Sequence, residues 1–328
     1  MNRRDTVLAL AALVAAPLAV RAQTAGKVPT VGIAWNAPLP AVKSLQEHLL
    51  RGLRDHGYVP GKTIIVDARS AEGSATRLDA LVAEFVRRNV EVIVAPSNAA
   101  ARLARDRTQT IPVVMVDVVD PVGLGLIASL ERPGGNITGT YTSEAALNAR
   151  RLELLKQVVP ALDRAAVFMT RGNPLAALHR SDADMTERAL GVKIDLVEVD
   201  APADLEHAMA AAAKRGARAV YLLSAGGEPR LFAHRERIVR TAAKHGMPVA
   251  GGRNAAEIGA VISYGSRSED HYYRSAEFID RILKGARPGD LKVEQPTSFD
   301  LVVNVKAAKA LGLSVPPSLL SRAGRAIE

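Results

Sequence analysis

The chain has no cysteine among its 328 residues. That absence removes thiolate nucleophiles, disulfide frameworks, iron–sulfur ligation and cysteine-based zinc sites together. Aromatic residues are scarce, with one Trp, six Tyr and five Phe, too few for the stacking platforms of single-stranded nucleic-acid binders. Also missing are Gly-x-Gly-x-x-Gly, Gly-x-Ser-x-Gly, His-Glu-x-x-His and His-x-x-x-His, so dinucleotide loops, nucleophile elbows and helical zinc pairs are not expected. Gly57–Thr63 resembles a phosphate loop, but it lacks the four-residue spacer between glycines and leads from a helix into a strand; we read it as a turn. No cofactor and no metal is therefore expected. What is present is ordinary for packed cores: 48% apolar and 23% charged residues, in a chain long enough for two domains or one long α/β unit.

Residues 1–22 stand apart. Arg3-Arg4 precede an apolar run from Val7 to Val20, and Val20-Arg21-Ala22 matches the small-x-Ala pattern of signal cleavage. The run is shorter than the roughly 20 residues that span a bilayer, so a signal peptide cut after Ala22 is expected. Arg3-Arg4 leaves the twin-arginine route open. Without a cysteine at the cut there is no lipid anchor, which predicts a freely soluble, periplasmic product. Three of the 43 basic residues and one of the 34 acidic ones (Arg3, Arg4, Arg21, Asp5) lie in that segment, so cleavage lowers the net charge from +9 to +7. Arg102, Arg105 and Arg107, or Arg235, Arg237 and Arg240, recur at helical spacing among acids, the pattern of a solvated helix face rather than a nucleic-acid surface.

The remaining chain alternates short β-branched runs with helical stripes. Strands are expected at Thr30–Ala34, Thr63–Ala68, Val90–Ala95, Pro112–Val116 and from Asn136, then at Ala165–Met169, Lys193–Val199, Ala219–Leu223 and Pro248–Ala250. Between them run stripes such as Val42, Leu45, Leu49 and Leu53. Such alternation predicts parallel sheets covered by helices. A third section, with a polar strand near Gly259–Tyr264, a helix at Tyr272–Lys284 and a strand at Phe299–Val303, is expected to return to the first half. The fold class predicted is α/β, two doubly wound parallel-sheet lobes joined by a three-crossing hinge. The lobes are placed at 27–140 with 256–292, and at 141–255 with 293–328.

Ligands of doubly wound sheets sit beyond the carboxyl ends of the strands, so those residues are the candidate binding set. Trp35 follows the first strand as a core residue or an aromatic wall. Ser97-Asn98-Ala99 open a helix after the third, where they could cap it, present backbone N–H groups to an anion, or both. Asp117 and Asp120 follow the fourth strand, and Asp120 begins a turn or pairs a ligand ammonium. Tyr141 and Thr142, Asn173, Ser224 and Arg253 hold the matching places in the second half, Arg253 being the residue best suited to grip an acidic group. The seven histidines read as surface residues.

A family resemblance runs through Gly52-Leu53-Arg54-Asp55-His56-Gly57-Tyr58-Val59-Pro60-Gly61-Lys62, Asp120-Pro121-Val122-Gly123, Arg132-Pro133-Gly134-Gly135-Asn136-Ile137-Thr138-Gly139 and Asp280-Arg281-Ile282-Leu283-Lys284-Gly285. In this order the segments resemble the substrate-binding proteins of ABC transporters, in the branch of the tryptophan- and tyrosine-binding proteins. The resemblance implies a type I periplasmic-binding-protein fold, a small-molecule ligand, an ABC permease in the inner membrane as partner, and no catalysis. It also implies a ligand carboxylate at the loop holding Ser97-Asn98-Ala99, with Asp120 at the cleft. Phe168–Pro174 and Ser224–Pro229 depart from the branch's usual pattern. The function expected is a monomeric solute receptor for an amino-acid-like or carboxylate ligand, with no nucleic-acid partner. Alternatives are an exported hydrolase using Asp117, Asp120 and Glu228, or a ligand sensor on the same scaffold.

Overall fold

A computed structural model describes residues 27–328 of the chain apart from Ala225 and Pro296; the expected signal peptide lies outside the described residues. The first sheet gathers β1 (Thr30–Trp35), β2 (Ile65–Ser70), β3 (Val92–Ala95), β4 (Val113–Val119) and β5 (Ile137–Thr142) in the parallel order β2-β1-β3-β4-β5. β1 and β3 are buried at every position, because helices cover both faces of the sheet. The connecting helices α1 (Leu39–Asp55), α2 (Ala75–Arg87) and α3 (Asn98–Arg107) bury stripes such as Val42, Leu49 and Leu53 or Leu78, Val82 and Phe85. Ser74 and Ser97 start α2 and α3 by accepting the N–H of Arg77 and Ala100, each satisfying a donor the helix leaves free.

The second sheet holds β6 (Arg164–Thr170), β7 (Lys193–Val199), β8 (Ala219–Tyr221), β9 (Val249–Gly251), β10 (Ile262–Ser266), β11 (Phe299–Asn304) and β12 (Arg325–Ile327), ordered β12-β11-β10-β9-β8-β6-β7. It is parallel except that β11 runs antiparallel to β10. Its helices include α4 (Glu144–Val158), α5 (Ala176–Leu190), α6 (Leu205–Lys214), α7 (Pro229–Phe232) and α8 (Arg235–Lys244), with two short ones at Val305–Ala310 and Pro317–Leu320. Each sheet separates two apolar cores, which makes both lobes doubly wound.

The chain crosses between lobes three times. It leaves the first sheet after Thr142, returns after Ser266 through α9 (Ser268–Leu283), and leaves again beyond Glu294, whose N–H donates to Gly139 O. These crossings correct the expected boundaries. Residues 256–266 go with the second lobe, because Ile262 pairs with Ala250 and Val261 and Ile262 are buried in that lobe's core. Tyr141 and Thr142 stay with the first, paired to Val118 and Val119. Val293, expected in the second lobe, is buried in the first. The polar strand expected near Gly259–Tyr264 is β10, and its lobe is decided by pairing with β9 rather than by any local pattern.

α9 seals the first lobe by lying on α1. Gly52 makes this approach possible: a Cβ there would sit 2.5 Å from Tyr273 O and 2.8 Å from Ala276 Cβ. Gly52→Ala is expected to lower stability by about 1–3 kcal/mol in urea unfolding; an unchanged midpoint would mean that the α1–α9 seam has room to spare.

Candidate functional site

The first two crossings meet at the carboxyl end of β4, and the third runs along the outer side of β5, where Tyr141 N donates to Glu294 O. A register shift between Met115 and Val118 interrupts the pairing of β4 with β5, and Asp117 within it takes a left-handed φ of +55°, a conformation that costs a non-glycine residue of order 1 kcal/mol. The Asp117 carboxylate accepts from Thr142 Oγ1 at the first crossing and, at 3.4 Å, from Ser268 Oγ at the second. His271 Nε2 lies 3.5 Å from the same group, and Asp117 N donates to Thr140 Oγ1 at 3.1 Å. One side chain thus ties β4, β5 and the start of α9.

Beside it a cavity of about 220 Å³ opens between the lobes, lined among others by Asp117, Thr142, Glu144, Arg151, Ser224 and Arg253. Glu144 and Arg151 project from one face of α4, seven residues and two turns apart. Their side chains are each 3% exposed and lie 3.6 Å apart. Arg151 Nε donates to Tyr264 O at 2.8 Å and Nη1 to Asn148 Oδ1 at 2.7 Å. Ser224 N donates to Glu144 Oε2 at 3.3 Å. Nη2 of Arg151 has no hydrogen-bond partner among the described residues and faces two glycines: a Cβ on Gly252 would lie 3.2 Å from it, and one on Gly265 3.8 Å. The missing side chains leave a buried, charged donor open to the cleft, which suits an anionic group.

A second cavity of about 310 Å³ shares Val119, Thr142 and Glu144 with the first and adds Asp120, Tyr141 and Asp182. Asp182 lies on the buried face of α5 with His179, Ala183 and Thr186. Burial pushes its carboxyl up to about 6; the nearby charges of Glu144 and Asp120 add to the shift and His179 opposes it. Burial likewise raises the neighbouring Tyr221 hydroxyl, with Asp182 and Glu144 contributing.

The expected binding residues divide. Thr142, Ser224 and Arg253 line the first cavity, and Asp120, Tyr141 and Thr142 line the second. Asp120 Oδ1 accepts from Gly123 N at 3.0 Å, and Tyr141 OH donates to Gln295 Oε1 at 3.3 Å. Arg253 pairs with Glu269 at the start of α9. Trp35 lines neither cavity: it is 2% exposed in the first lobe's core, stacked on Tyr272 at 5.2 Å between centroids. Ser97 caps α3, and both amide atoms of Asn98 are engaged by the backbone of Val119; Ala99 is exposed, and none of the three lines either cavity. Asn173 is buried, donating to Glu228 Oε2 at 2.6 Å and to Gly227 O at 2.9 Å, so it builds the loop before α7 rather than a pocket wall. Glu144, Arg151 and Asp182 were absent from the expected set. Glu144 and Arg151 share one face of α4, and His179, Asp182 and Thr186 one face of α5, but the sequence does not show that these are the inner faces.

Two α/β lobes, three crossings and a polar cleft at the strand ends define a type I periplasmic binding protein. Residues 30–327 match the family model described as ABC transporter substrate binding protein, and the chain belongs to that family of solute-binding receptors. A tyrosine-binding protein of Clostridioides difficile (strain R20291) is 24% identical over 288 residues, covering 88% of this chain and 82% of that protein. A crystal structure of a conserved domain protein from Vibrio cholerae O1 biovar El Tor superposes with a TM-score of 0.80 at 28% identity, covering 92% of this chain and all of that one. An ABC domain from Streptococcus pneumoniae in complex with L-Trp does so at 0.79 and 21% identity, with the same coverage. Among the described residues no helix is long and apolar enough to cross a membrane.

Two stability measurements test this geometry. Arg151→Met leaves Glu144 buried without its cation and is expected to cost about 3–5 kcal/mol in chemical denaturation, part of which returns in the double variant with Glu144→Gln; additive losses would mean the pair is not coupled. Asp182 has a folded-state carboxyl raised above its ordinary value, so it destabilises the fold above pH 6 and not below pH 4, where it is protonated in both states. Asp182→Asn should therefore raise stability by about 1–2 kcal/mol at pH 7.5 and leave it unchanged at pH 4; equal effects at both values would contradict the assignment.

Proposed function

We propose that this chain is an exported, periplasmic receptor that closes its two lobes around a small amino-acid-like or carboxylate solute and hands it to an ABC permease in the inner membrane. The observation that carries the proposal is the open Nη2 of buried Arg151 at the lobe boundary, beside Thr142 and Ser224. A guanidinium that keeps an unused N–H at the cleft can donate it to a ligand anion. Thr142, Ser224 and Arg253 are assigned to the ligand's polar groups, and Asp120 and Tyr141 to its other end. Ser97, Asn98 and Ala99 shape the cleft through β4 rather than holding the ligand carboxylate. The receptor works as a monomer, its signal removed near Ala22, and its partners include no nucleic acid.

No chemistry on the solute is assigned. The carboxylates that would support hydrolysis are engaged by their own surroundings: Asp117 by Thr142 and Ser268, and Glu228 by Thr170 N at 2.8 Å, by Asn173, and by Leu231 N as the cap of α7. The homologue named for tyrosine and the neighbour crystallised with L-Trp support an amino-acid-like solute. Titration calorimetry against amino acids and carboxylates, paired with small-angle scattering, tests the proposal. A solute should bind with one-to-one stoichiometry and reduce the radius of gyration, and Ser224→Ala should weaken it by about 1–3 kcal/mol. Silence across the panel, or binding without compaction, would overturn it.

A further inference from the structure

The second cavity has a charge pattern that the solute-receptor role alone does not require. Three carboxylates reach it from three elements, Asp120 after β4, Glu144 at the start of α4 and Asp182 on α5, and among the described residues no Lys, Arg or His lines it. Two of the three have partners: Asp120 accepts from Gly123 N, and Glu144 accepts from Ser224 N with Arg151 3.6 Å away. Asp182 has none. It is 4% exposed, opens onto the cavity, and no hydrogen bond or ion pair reaches its carboxylate among the described residues. The rest of the wall includes Val119, Val122, Leu130 and Leu178.

A carboxylate with little exposure and no protein partner is costly to ionise, and a cation that arrives beside it offsets part of that cost. An anionic group placed here would be repelled and an apolar one would leave Asp182 unpaired; a neutral O–H or N–H could donate to Asp182 alone, whereas an ammonium on an apolar stem also offsets the charge of the three acids and meets the aliphatic wall. We infer that this cavity is the subsite for a protonated amine at the end of an apolar stem, so that the solute is an amino acid with a cationic side chain. Its carboxylate then falls to Arg151 in the adjoining cavity. The inference rests on the solute-receptor reading and narrows it away from the aromatic ligands of the relatives.

The groups facing Asp182 are His179 on its own helix, Glu144 on α4, Asp120 beyond β4 and Tyr221 on β8. In the unliganded protein Asp182 titrates at about 6. An ammonium binds its ionised form, so affinity is full above that pH and falls below it as the carboxyl takes up a proton.

Calorimetry of the mature chain with L-lysine, L-norleucine and L-tyrosine tests this. Norleucine keeps the stem of lysine and lacks the amine. At pH 7.5 lysine should bind at least tenfold more tightly than norleucine, and its affinity should fall about tenfold by pH 5.0. Asp182→Asn, isosteric and checked for folding by circular dichroism, should abolish the preference. Norleucine or tyrosine binding as tightly as lysine, or a preference that survives Asp182→Asn, would overturn the inference while leaving a solute receptor. Failure of every solute, here and in the wider panel, would overturn both.

Discussion

The Asp117 carboxylate is the constraint on which the cleft depends. β4 belongs to the first lobe, Thr142 ends its neighbouring strand at the first crossing, and Ser268 and His271 begin the helix after the second. One anion accepting from the first two and facing the third fixes where the chain leaves one lobe and re-enters it. The left-handed backbone at Asp117 is tolerated because hydrogen bonds from both crossings hold it. Everything that lines the two cavities is placed relative to this point, since Thr142 leads directly into Glu144 and the face of α4.

From there the charges are arranged in opposition. Arg151, with Glu144 and Asn148, presents an open donor on one side of Glu144; Asp182 presents an open acceptor on the other. Arg151 has Glu144 3.6 Å away and keeps one N–H free, whereas Asp182 has no partner among the described residues, which stability alone would not select. In the receptor proposed above, the ligand supplies the partner for Asp182 and for the free N–H of Arg151. Gly252 keeps the guanidinium uncrowded, since a Cβ there would lie 3.2 Å from Nη2, and a Cβ on Gly265 would press on the backbone N of Arg253 at 3.1 Å.

Much of the fold was legible because it rests on local patterns. β7 at Lys193–Val199 and the stripe Val42, Leu49, Leu53 on α1 follow directly from periodicity, and the return of α9 to the first lobe follows from its amphipathic face. The lobe boundary at β10 was not legible: the strand itself is readable near Gly259–Tyr264, but its place is decided by pairing with β9. The site was half legible. Strand ends led to Thr142, Ser224 and Arg253, but the same rule chose Trp35 and Asn173, whose burial depends on Tyr272 and Glu228, far away in sequence. Glu144, Arg151 and Asp182 escaped it because they lie within helices, where polar residues on an inner face are visible only once the face is known.

The central claim is that the cleft exists to hold a small charged solute. Its most direct test is a native mass spectrum of the protein purified folded from the cell's exported fraction, recorded before and after denaturation. The account predicts a single additional small mass that is released on unfolding and identifies as an amine-bearing amino acid. A bare chain that also gains no mass when the amino-acid panel is added back would contradict it.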